Sequence, residues 1–464
     1  MQSTWSQSEV FNWLQKYNVT GPRYTSYPTV PAWSESVGAL DYQKALASLQ
    51  PEESFSLYFH LPFCEKLCHF CGCMQVITTD HSRSQDYVKK LLQEIALVRK
   101  QIPQRLAKVE QIHFGGGTPN FLQAKELKNL FEGIHQHFKI EDQAEIAIEM
   151  HPRTSTQAFC DQLKELGFNR ISLGVQDFDP KVQKLINRHQ TYEQTKDMLD
   201  YLRSLGFTSF NFDLIYGLPG QKLNTWQKTL DQVLKLDPDR LAVYSYAHVP
   251  WIKPVQRSFQ DSDLPNPETK LKLFEMALKT FPQAGYELIG MDHFAKAQDE
   301  LSLAKKEGSL HRNFMGYSTR AEAHQIGFGV SSISYVGGHY FQNQKQLPDY
   351  EKSIQSDNLA TFRGCLLSQE DQIRRDLITQ IMCLGEINFK DFEKKWSLDF
   401  KKHFASELKQ LEALQQDGLL EIKDQKINCT PIGQLFLRII AMVFDPYLEK
   451  IKTQAKNPTF SKTV

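Results

Sequence analysis

The sequence predicts an α/β protein built on an open, partial (β/α)6 barrel, TIM-like in its layering. An N-terminal extension precedes the barrel, and a C-terminal helical, winged-helix-like domain follows it. Three observations predict this. Six strand-like runs alternate with amphipathic helical runs between about residues 55 and 250. The C-terminal ends of those runs collect polar, small and cysteine residues, while their interiors are Val, Ile, Leu and Phe. Beyond residue 370 the alternation stops, and helical patterns surround one short hairpin. Six units are too few for the closed eightfold barrel, and a doubly wound sheet is the other arrangement with this alternation.

The elements follow in chain order. Residues 1–50 form the extension and hold GPRYTSYPT (21–29), a turn-rich aromatic segment that either straps onto the barrel or closes over a ligand. Residues 51–360 hold the barrel and its continuation. Its strand candidates are SLYFHLPF (56–63), VEQIHFGGG (109–117), EIAIEMHP (145–152), RISLGVQDF (170–178), FTSFNFDLIYGLP (207–219) and RLAVYSYAHV (240–249). Tyr87, Val88, Leu91, Leu92, Ile95 and Val98 recur at helical spacing, as do Leu127, Leu130, Phe131 and Ile134. Residues 361–464 form the last domain. Phe404, Leu408 and Leu411 mark a helix that Asp417-Gly418 stops, LLEI-KDQK-INC reads as a hairpin, and Thr430-Pro431 reads as the cap and first residue of another helix.

Bulk properties exclude several classes. Lys+Arg and Asp+Glu are both 54 in 464 residues, so no basic field points to nucleic acid or anionic lipid. No apolar run reaches membrane-spanning length, and LFLRIIAMVF is short and broken by Arg438. The start, MQSTWSQSEVFNWLQKYN, is polar and lacks the apolar core of a secretory signal. A reducing, cytoplasmic setting is therefore expected. Cys160, Cys365, Cys383 and Cys429 are scattered singly and read as buried thiols.

The other four of the 8 cysteines lie within ten residues, as Cys64, Cys68, Cys71 and Cys73. The first three are spaced Cys-x3-Cys-x2-Cys, which suits three thiolates around a cubic [4Fe–4S] cluster. Three ligands on four irons leave one iron open, the mark of a catalytic rather than a closed site. Zinc, with His60 and His69 nearby, is the alternative reading, and a disulfide knot is a weaker one. Gly115-Gly116-Gly117-Thr118-Pro119 follows a strand. Its spacing fits neither a dinucleotide fingerprint nor a P-loop. Beside a three-cysteine cluster the natural ligand is S-adenosylmethionine (SAM), which chelates the open iron through its amino and carboxylate groups. Glu149, Gln176, Arg188 and Asp213 stand at or just beyond strand ends, where they suit ribose hydroxyls, amino groups and carboxylates. Arg188 offers a carboxylate fork. Tyr58 and Phe70 flank the cysteines and either pack in the core or stack on a ligand. His60, His151, His248, His293 and His311 show no metal-binding spacing and read as hydrogen-bonded structural groups.

CEKLCHFCGC, HFGGGTP, GVQDF, NFDLIYGLP, YAHVP, GMDHFA and HRNF, with the upstream GPRYTSYPT, resemble the oxygen-independent coproporphyrinogen III oxidases, radical SAM enzymes of haem biosynthesis. The resemblance runs from about Tyr17 to Asp445. It implies reductive cleavage of SAM to a 5′-deoxyadenosyl radical, hydrogen abstraction from a propionate β-carbon, and loss of CO2 and one electron to leave a vinyl group. Two such events convert coproporphyrinogen III to protoporphyrinogen IX. The resemblance further implies Cys64, Cys68 and Cys71 as cluster ligands and Cys73 as a fourth, non-ligating cysteine. It implies two SAM molecules: Tyr58, Gly116, Glu149 and Ile333 match contacts of one, and Phe70, Gly117, Thr118, Gln176, Arg188, Asp213 and Ala247 match contacts of the other. Tyr58 and Glu149 are the expected catalytic residues. A flavodoxin- or ferredoxin-like electron donor and a monomeric state are also expected.

Two departures stand out. Met315 follows HRNF where the family usually has Gln, and 321–327 reads AEAHQIG where relatives read something like GDTDLLG. Arg23 is a candidate for meeting the propionates. The alternatives are a haem-binding chaperone of the same superfamily, which lacks the GPRYTSYPT segment and usually the fourth cysteine, and a radical enzyme acting on haem.

Overall fold

The structure is a computed structural model, and it describes residues 12–13, 15–50, 53–103, 108–320, 324–454 and 459–463. The polar start at residues 1–11 and the departure at 321–323 lie outside the described residues. The chain divides into two compact units. One comprises residues 34–277 and 322–366, and the other comprises 1–33, 278–321 and 367–464.

The first unit holds the predicted alternation. Its elements are β1 (Ser54–Leu61), α1 (Ser82–Gln101), β2 (Lys108–Gly116), α2 (Ala124–His137), β3 (Lys139–Met150), α3 (Gln157–Glu165), β4 (Arg170–Gln176), α4 (Tyr192–Ser204), β5 (Phe210–Tyr216), α5 (Leu223–Leu236) and β6 (Arg240–Ser245). β1 to β6 lie in chain order, each parallel to the next. The sheet then continues beyond the six predicted units. β7 (His324–Phe328) pairs parallel to the free side of β1, and β8 (Ile333–Val336), β9 (His339–Asn343) and β10 (Thr361–Cys365) follow as an antiparallel meander. Short antiparallel strands with turn residues carry little periodicity, which is why the alternation did not reveal them. β3 starts six residues before its apolar run, because Lys139 and Ile140 pair with Lys108 and Val109 of β2 before the register shifts.

Side-chain alternation divides each strand between two environments. On the outer face Phe59 of β1 stacks on Phe114 of β2 and Phe328 of β7, with centroids 4.9 and 5.0 Å apart. These rings oppose one another in register, so a slip of one residue would carry all three to the wrong face. On the inner face polar groups link across strands. Ser56 donates to Gln111 at 2.9 Å, Gln111 donates to Glu145 at 2.8 Å, and Arg170 meets the other Glu145 oxygen at 2.8 Å. The inner wall of this partial barrel is therefore polar from its floor upward.

α1 is fastened to the meander by a buried carboxylate. Glu94 accepts from the Gly329 amide at 2.7 Å, from Asn343 Nδ2 at 2.6 Å and from the Tyr350 hydroxyl at 2.8 Å. Burial nevertheless pushes its carboxyl up to about 7.

In the second unit, helices Gln369–Leu384, Phe389–Trp396 and Ala405–Gln416 accompany a three-stranded sheet of Glu386–Asn388, Lys426–Cys429 and Leu420–Lys423. This is the expected helical, winged-helix-like composition. Gly418, in left-handed conformation at φ +72°, ends the last helix as predicted. Thr430 caps a turn by accepting from the Gly433 amide at 3.1 Å, but the regular helix begins only at Leu437. The 21–29 segment is held within this unit. Arg438 donates to the carbonyls of Gly21 and Pro22, and the Tyr24 hydroxyl donates to Asp445 at 3.1 Å. Among the described residues no helix is long and apolar enough to cross a membrane.

Replacing Glu94 with leucine is expected to cost about 3 kcal/mol, because three buried donors lose their acceptor. The glutamate has a second signature. Its carboxyl is raised from 4.5 to about 7, so the native state holds the extra proton between those values. Its contribution is therefore most favourable below about 4.5 and declines as pH rises through about 7. The melting temperature of the wild type, taken relative to Glu94→Gln, is expected to fall across that window in thermal scans.

Candidate active site

Every residue of the site described next lies in the unit of residues 34–277 and 322–366. Strand period two sets its geometry. Tyr58 and His60 on β1, His113 on β2, Glu149 on β3, and Asn211 and Asp213 on β5 occupy alternating inner positions, rising toward the C-terminal strand ends. There, a cavity of about 330 Å3 opens, lined among others by Cys64, Cys68, Phe70, Cys71 and Cys73. Gly116, Gly117, Thr118, Glu149, Gln176, Arg188 and Asp213 line it as well. The structure thus gathers most of the predicted residues around one space. Tyr58, Ala247 and Ile333 are outside that lining. Tyr58 donates to His60 Nδ1 at 3.2 Å and stacks on His113, with ring centroids 5.9 Å apart. Ile333 gives its carbonyl to Gln325 at 3.1 Å, and Ala247 gives its carbonyl to Gln256 at 3.1 Å.

The cysteine loop has almost no regular structure of its own. Its ends are drawn together by Phe63–Cys64 pairing with Val76–Ile77. His60 Nε2 donates to the Met74 carbonyl at 3.0 Å, which leaves Nδ1 as the acceptor for Tyr58. Burial lowers the His60 pKa, in keeping with a neutral ring in this relay. Asn187 Nδ2 donates to the Leu67 carbonyl at 2.8 Å, the His69 amide donates to Ile186 at 3.0 Å, and Lys253 Nζ donates to Cys73 at 3.3 Å. Phe70 both faces the cavity and packs on Val182, Ile186, Leu218, Tyr246 and Phe259.

Protein groups crowd each position of the glycine triplet. A Cβ at Gly115 would meet the Glu149 carboxylate at 2.8 Å, one at Gly116 the His60 ring at 2.6 Å, and one at Gly117 the Pro62 carbonyl at 2.6 Å. Glycine therefore leaves the space on its Cβ side to these protein groups. Gly116 also has φ +109°, which only glycine adopts freely.

Glu149 accepts from His113 Nε2 at 3.1 Å and from the Gly116 amide at 3.3 Å. Surrounding protein encloses its carboxylate, yet 42 % of the side chain is accessible because it opens into the cavity. Burial opposes its ionisation, but His113 outweighs that and the carboxyl titrates below its usual range. Asp213 behaves oppositely. Burial, and then the neighbouring Glu149 charge, push it up to about 7, against the Asn211 amide that donates to it at 2.9 Å. The two carboxylates thus face the cavity with unequal hold on their protons. Gln176 reaches the cavity by an unusual turn: it sits at φ +66°, and the β4–β5 register shifts there. The next residue, Asp177, is sent into a buried network with Thr229 (2.7 Å) and Gln221 (2.6 Å).

The cysteines fit an iron–sulfur cube. Among the described residues no three His, Cys, Asp or Glu groups converge on one point, as a zinc site would require. A cube needs no such convergence, since each thiolate meets its own iron at its own corner. Cys64, Cys68 and Cys71 are half-buried and open to the cavity, while Cys73 is exposed. Burial pushes the Cys64 thiol up to about 11, opposed by the Thr118 hydroxyl 3.2 Å away. The Cys73 side chain lowers the Cys71 pKa by hydrogen bonding. Of the remaining cysteines, Cys160 and Cys383 are buried as expected, but Cys365 and Cys429 are only half-buried.

Known proteins point the same way. The Radical SAM superfamily pattern matches residues 58–233, and the HemN C-terminal domain pattern matches residues 367–436. The chain is 43 % identical to the oxygen-independent coproporphyrinogen III oxidase of Escherichia coli, over 97 % of both chains. The chain belongs to the oxygen-independent coproporphyrinogen III oxidase family. The Synechocystis member of this family is 41 % identical, again over 97 % of both chains. The solved coproporphyrinogen III oxidase of E. coli, described as a radical SAM enzyme, superposes with a TM-score of 0.91 at 42 % identity. That match covers 96 % of this chain and 100 % of the solved one. Membership of this radical SAM family carries a [4Fe–4S] cluster and SAM with it.

Several cavity and supporting residues escaped the motif reading. His113 shares the inner face with Gly115, and period-two counting along β2 finds it; His60, read from the sequence as a hydrogen-bonded structural group, is one. Arg153 lines the cavity and pairs with Glu65 of the cysteine loop at 3.5 Å, while Asn187 clamps that loop; neither carries a sequence signal. The candidates Arg23 and Met315 belong to the other unit. Arg23 pairs with Asp292 at 2.5 Å, and the Met315 amide donates to Asn313 at 2.9 Å in a hairpin turn.

Gly117→Ala is expected to lower stability by about 1–3 kcal/mol, because backbone rather than a movable side chain blocks its Cβ. Gly72→Ala is expected to leave stability unchanged, since nothing lies within 4 Å of a Cβ there. Thermal melting of the two proteins side by side checks both outcomes.

Proposed function

We propose that this chain performs the oxygen-independent oxidative decarboxylation of coproporphyrinogen III, converting two propionates to vinyl groups and yielding protoporphyrinogen IX. The carrying observation is agreement with an oxidase of that name over 97 % of both chains. A haem-binding chaperone is not favoured by that agreement.

The assigned roles are these. Cys64, Cys68 and Cys71 hold the cluster, and Cys73 does not ligate it. Tyr58, Gly116, Glu149 and Ile333 serve one SAM, and Phe70, Gly117, Thr118, Gln176, Arg188, Asp213 and Ala247 serve a second. The shared cavity supports this for all of them except Tyr58, Ala247 and Ile333. When bound, the cluster and SAM supply the one-electron chemistry and the hydrogen-abstracting radical that no side chain can provide.

The residues of the chain bind and orient. Glu149 and Asp213 present negative charge to an ammonium and a sulfonium. Arg188 and Arg153 present cations to carboxylates. Phe70 and Met150 add apolar wall that limits water around the reacting atoms. Each event removes a hydrogen atom, CO2 and one electron from a propionate, so no general base is required. We assign the chemistry to residues 51–360, an accessory helical role to 361–464 and a strapping or closing role to 1–50. A flavodoxin- or ferredoxin-like donor, a monomeric state and a cytoplasmic location complete the reading.

The test is anaerobic. Purified protein with rebuilt cluster, SAM, reductant, an electron acceptor and coproporphyrinogen III is expected to yield protoporphyrinogen IX. Stable haem binding without turnover would favour the chaperone. A second outcome follows from Asp213, which burial and Glu149 push up to about 7. Below that value it is neutral and attracts a cation poorly. SAM affinity is therefore expected to rise with pH toward about 7, by up to about tenfold per unit for a fully linked proton, and then level off. Asp213→Asn is expected to flatten that rise in equilibrium binding.

A further inference from the structure

We propose that Arg188 is a positioning residue that raises the reduction potential of the cluster through the Cys68 sulfur. This rests on the assignment of Cys64, Cys68 and Cys71 as ligands. Arg188 Nη1 lies 3.8 Å from Cys68 Sγ, and Nη2 donates to the Gly174 carbonyl at 2.5 Å. Nε is enclosed and has no hydrogen-bond partner among the described residues. Among the described residues no carboxylate lies within ion-pair distance of this guanidinium, although Asp213, across the same cavity, feels its charge. The sulfurs differ in their neighbours. Cys64 has the neutral Thr118 hydroxyl at 3.2 Å, whereas Cys68, among the described residues, has the guanidinium in hydrogen-bond contact; the same charge reaches the Cys64 and Cys71 sulfurs from farther away.

The contact is held from three directions. Gly174 leaves room for the head: a Cβ there would lie 2.9 Å from Nη2 and 2.8 Å from Gln176 Nε2. Asn187, at φ +53°, turns the chain and donates to Leu67 at 2.8 Å. The His69 amide donates to Ile186 at 3.0 Å, so the turn that carries Arg188 and the loop that carries Cys68 are tied together. Reduction adds one negative charge to the cluster. A fixed cation beside a ligating sulfur stabilises the reduced form more than the oxidised form, and low local dielectric strengthens that preference. The guanidinium thus makes the cluster easier for a physiological donor to reduce, at some cost to its driving force toward the sulfonium.

Wild type, Arg188→Met, Arg188→Lys and Gly174→Ala are reconstituted without oxygen and without SAM. Iron and sulfide are quantified, and the midpoint is read by redox titration with electron paramagnetic resonance. Arg188→Met is expected to shift the midpoint to a more negative value, and Arg188→Lys to restore it in part. Gly174→Ala keeps the arginine but crowds its head, and is expected to fall between wild type and Arg188→Met. A full cluster in Arg188→Met with an unmoved midpoint overturns the proposal. If Arg188→Met fails to hold a cluster, unmoved midpoints in both other variants overturn it instead. Failure of the wild type to take up iron and sulfide is a different result, and it removes the ligand assignment itself.

Discussion

The site depends on one constraint: three sulfurs on a loop too short and too polar to fold alone must be held in fixed relation at the mouth of a barrel. Cys64, Cys68 and Cys71 span eight residues with only a two-residue strand at one end. Their positions come from outside the loop. His60 below, Asn187 and Ile186 beside, and Lys253 above each bond to it, mostly through its own backbone. The glycine triplet is part of the same clamp. It lets His60, Pro62 and Glu149 press against β2 where any side chain would force them apart.

The sheet serves that constraint by giving its two faces opposite chemistry. Outward, the Phe59, Phe114 and Phe328 stack fixes the register of three parallel strands. Inward, the same strands carry Ser56, Gln111, Glu145, His113 and Glu149, a polar wall whose members satisfy one another. At the top the satisfaction is incomplete: Glu149 is open to the cavity, Asp213 holds its proton to about 7, and Arg188 has no carboxylate within ion-pair distance among the described residues. Groups left in that condition are the ones available to a ligand that is both cationic and anionic.

Much of this was legible in the sequence for a physical reason. The parallel strands carry enough Val, Ile, Leu and Phe to be recognised, and chemistry gathers at their C-terminal ends, so Glu149, Gln176 and Asp213 were found by position alone. The cysteine spacing is local and survives without any fold. What sequence did not show is what depends on contact between distant segments. The β7–β10 meander is too short for periodicity, and the start of β3 is polar yet paired. Arg153 and Asn187 matter through Glu65 and Leu67, far away in the chain. The groups that crowd the glycines, His60, Pro62 and Glu149, come from other segments and could not be read from the triplet itself.

The measurement closest to the central claim is electron paramagnetic resonance of the reduced, reconstituted protein before and after SAM is added. The account expects one cluster of four irons whose signal changes when SAM occupies the iron that has no thiolate. A reconstituted protein without iron and sulfide, or a cluster whose signal is indifferent to SAM, would contradict it.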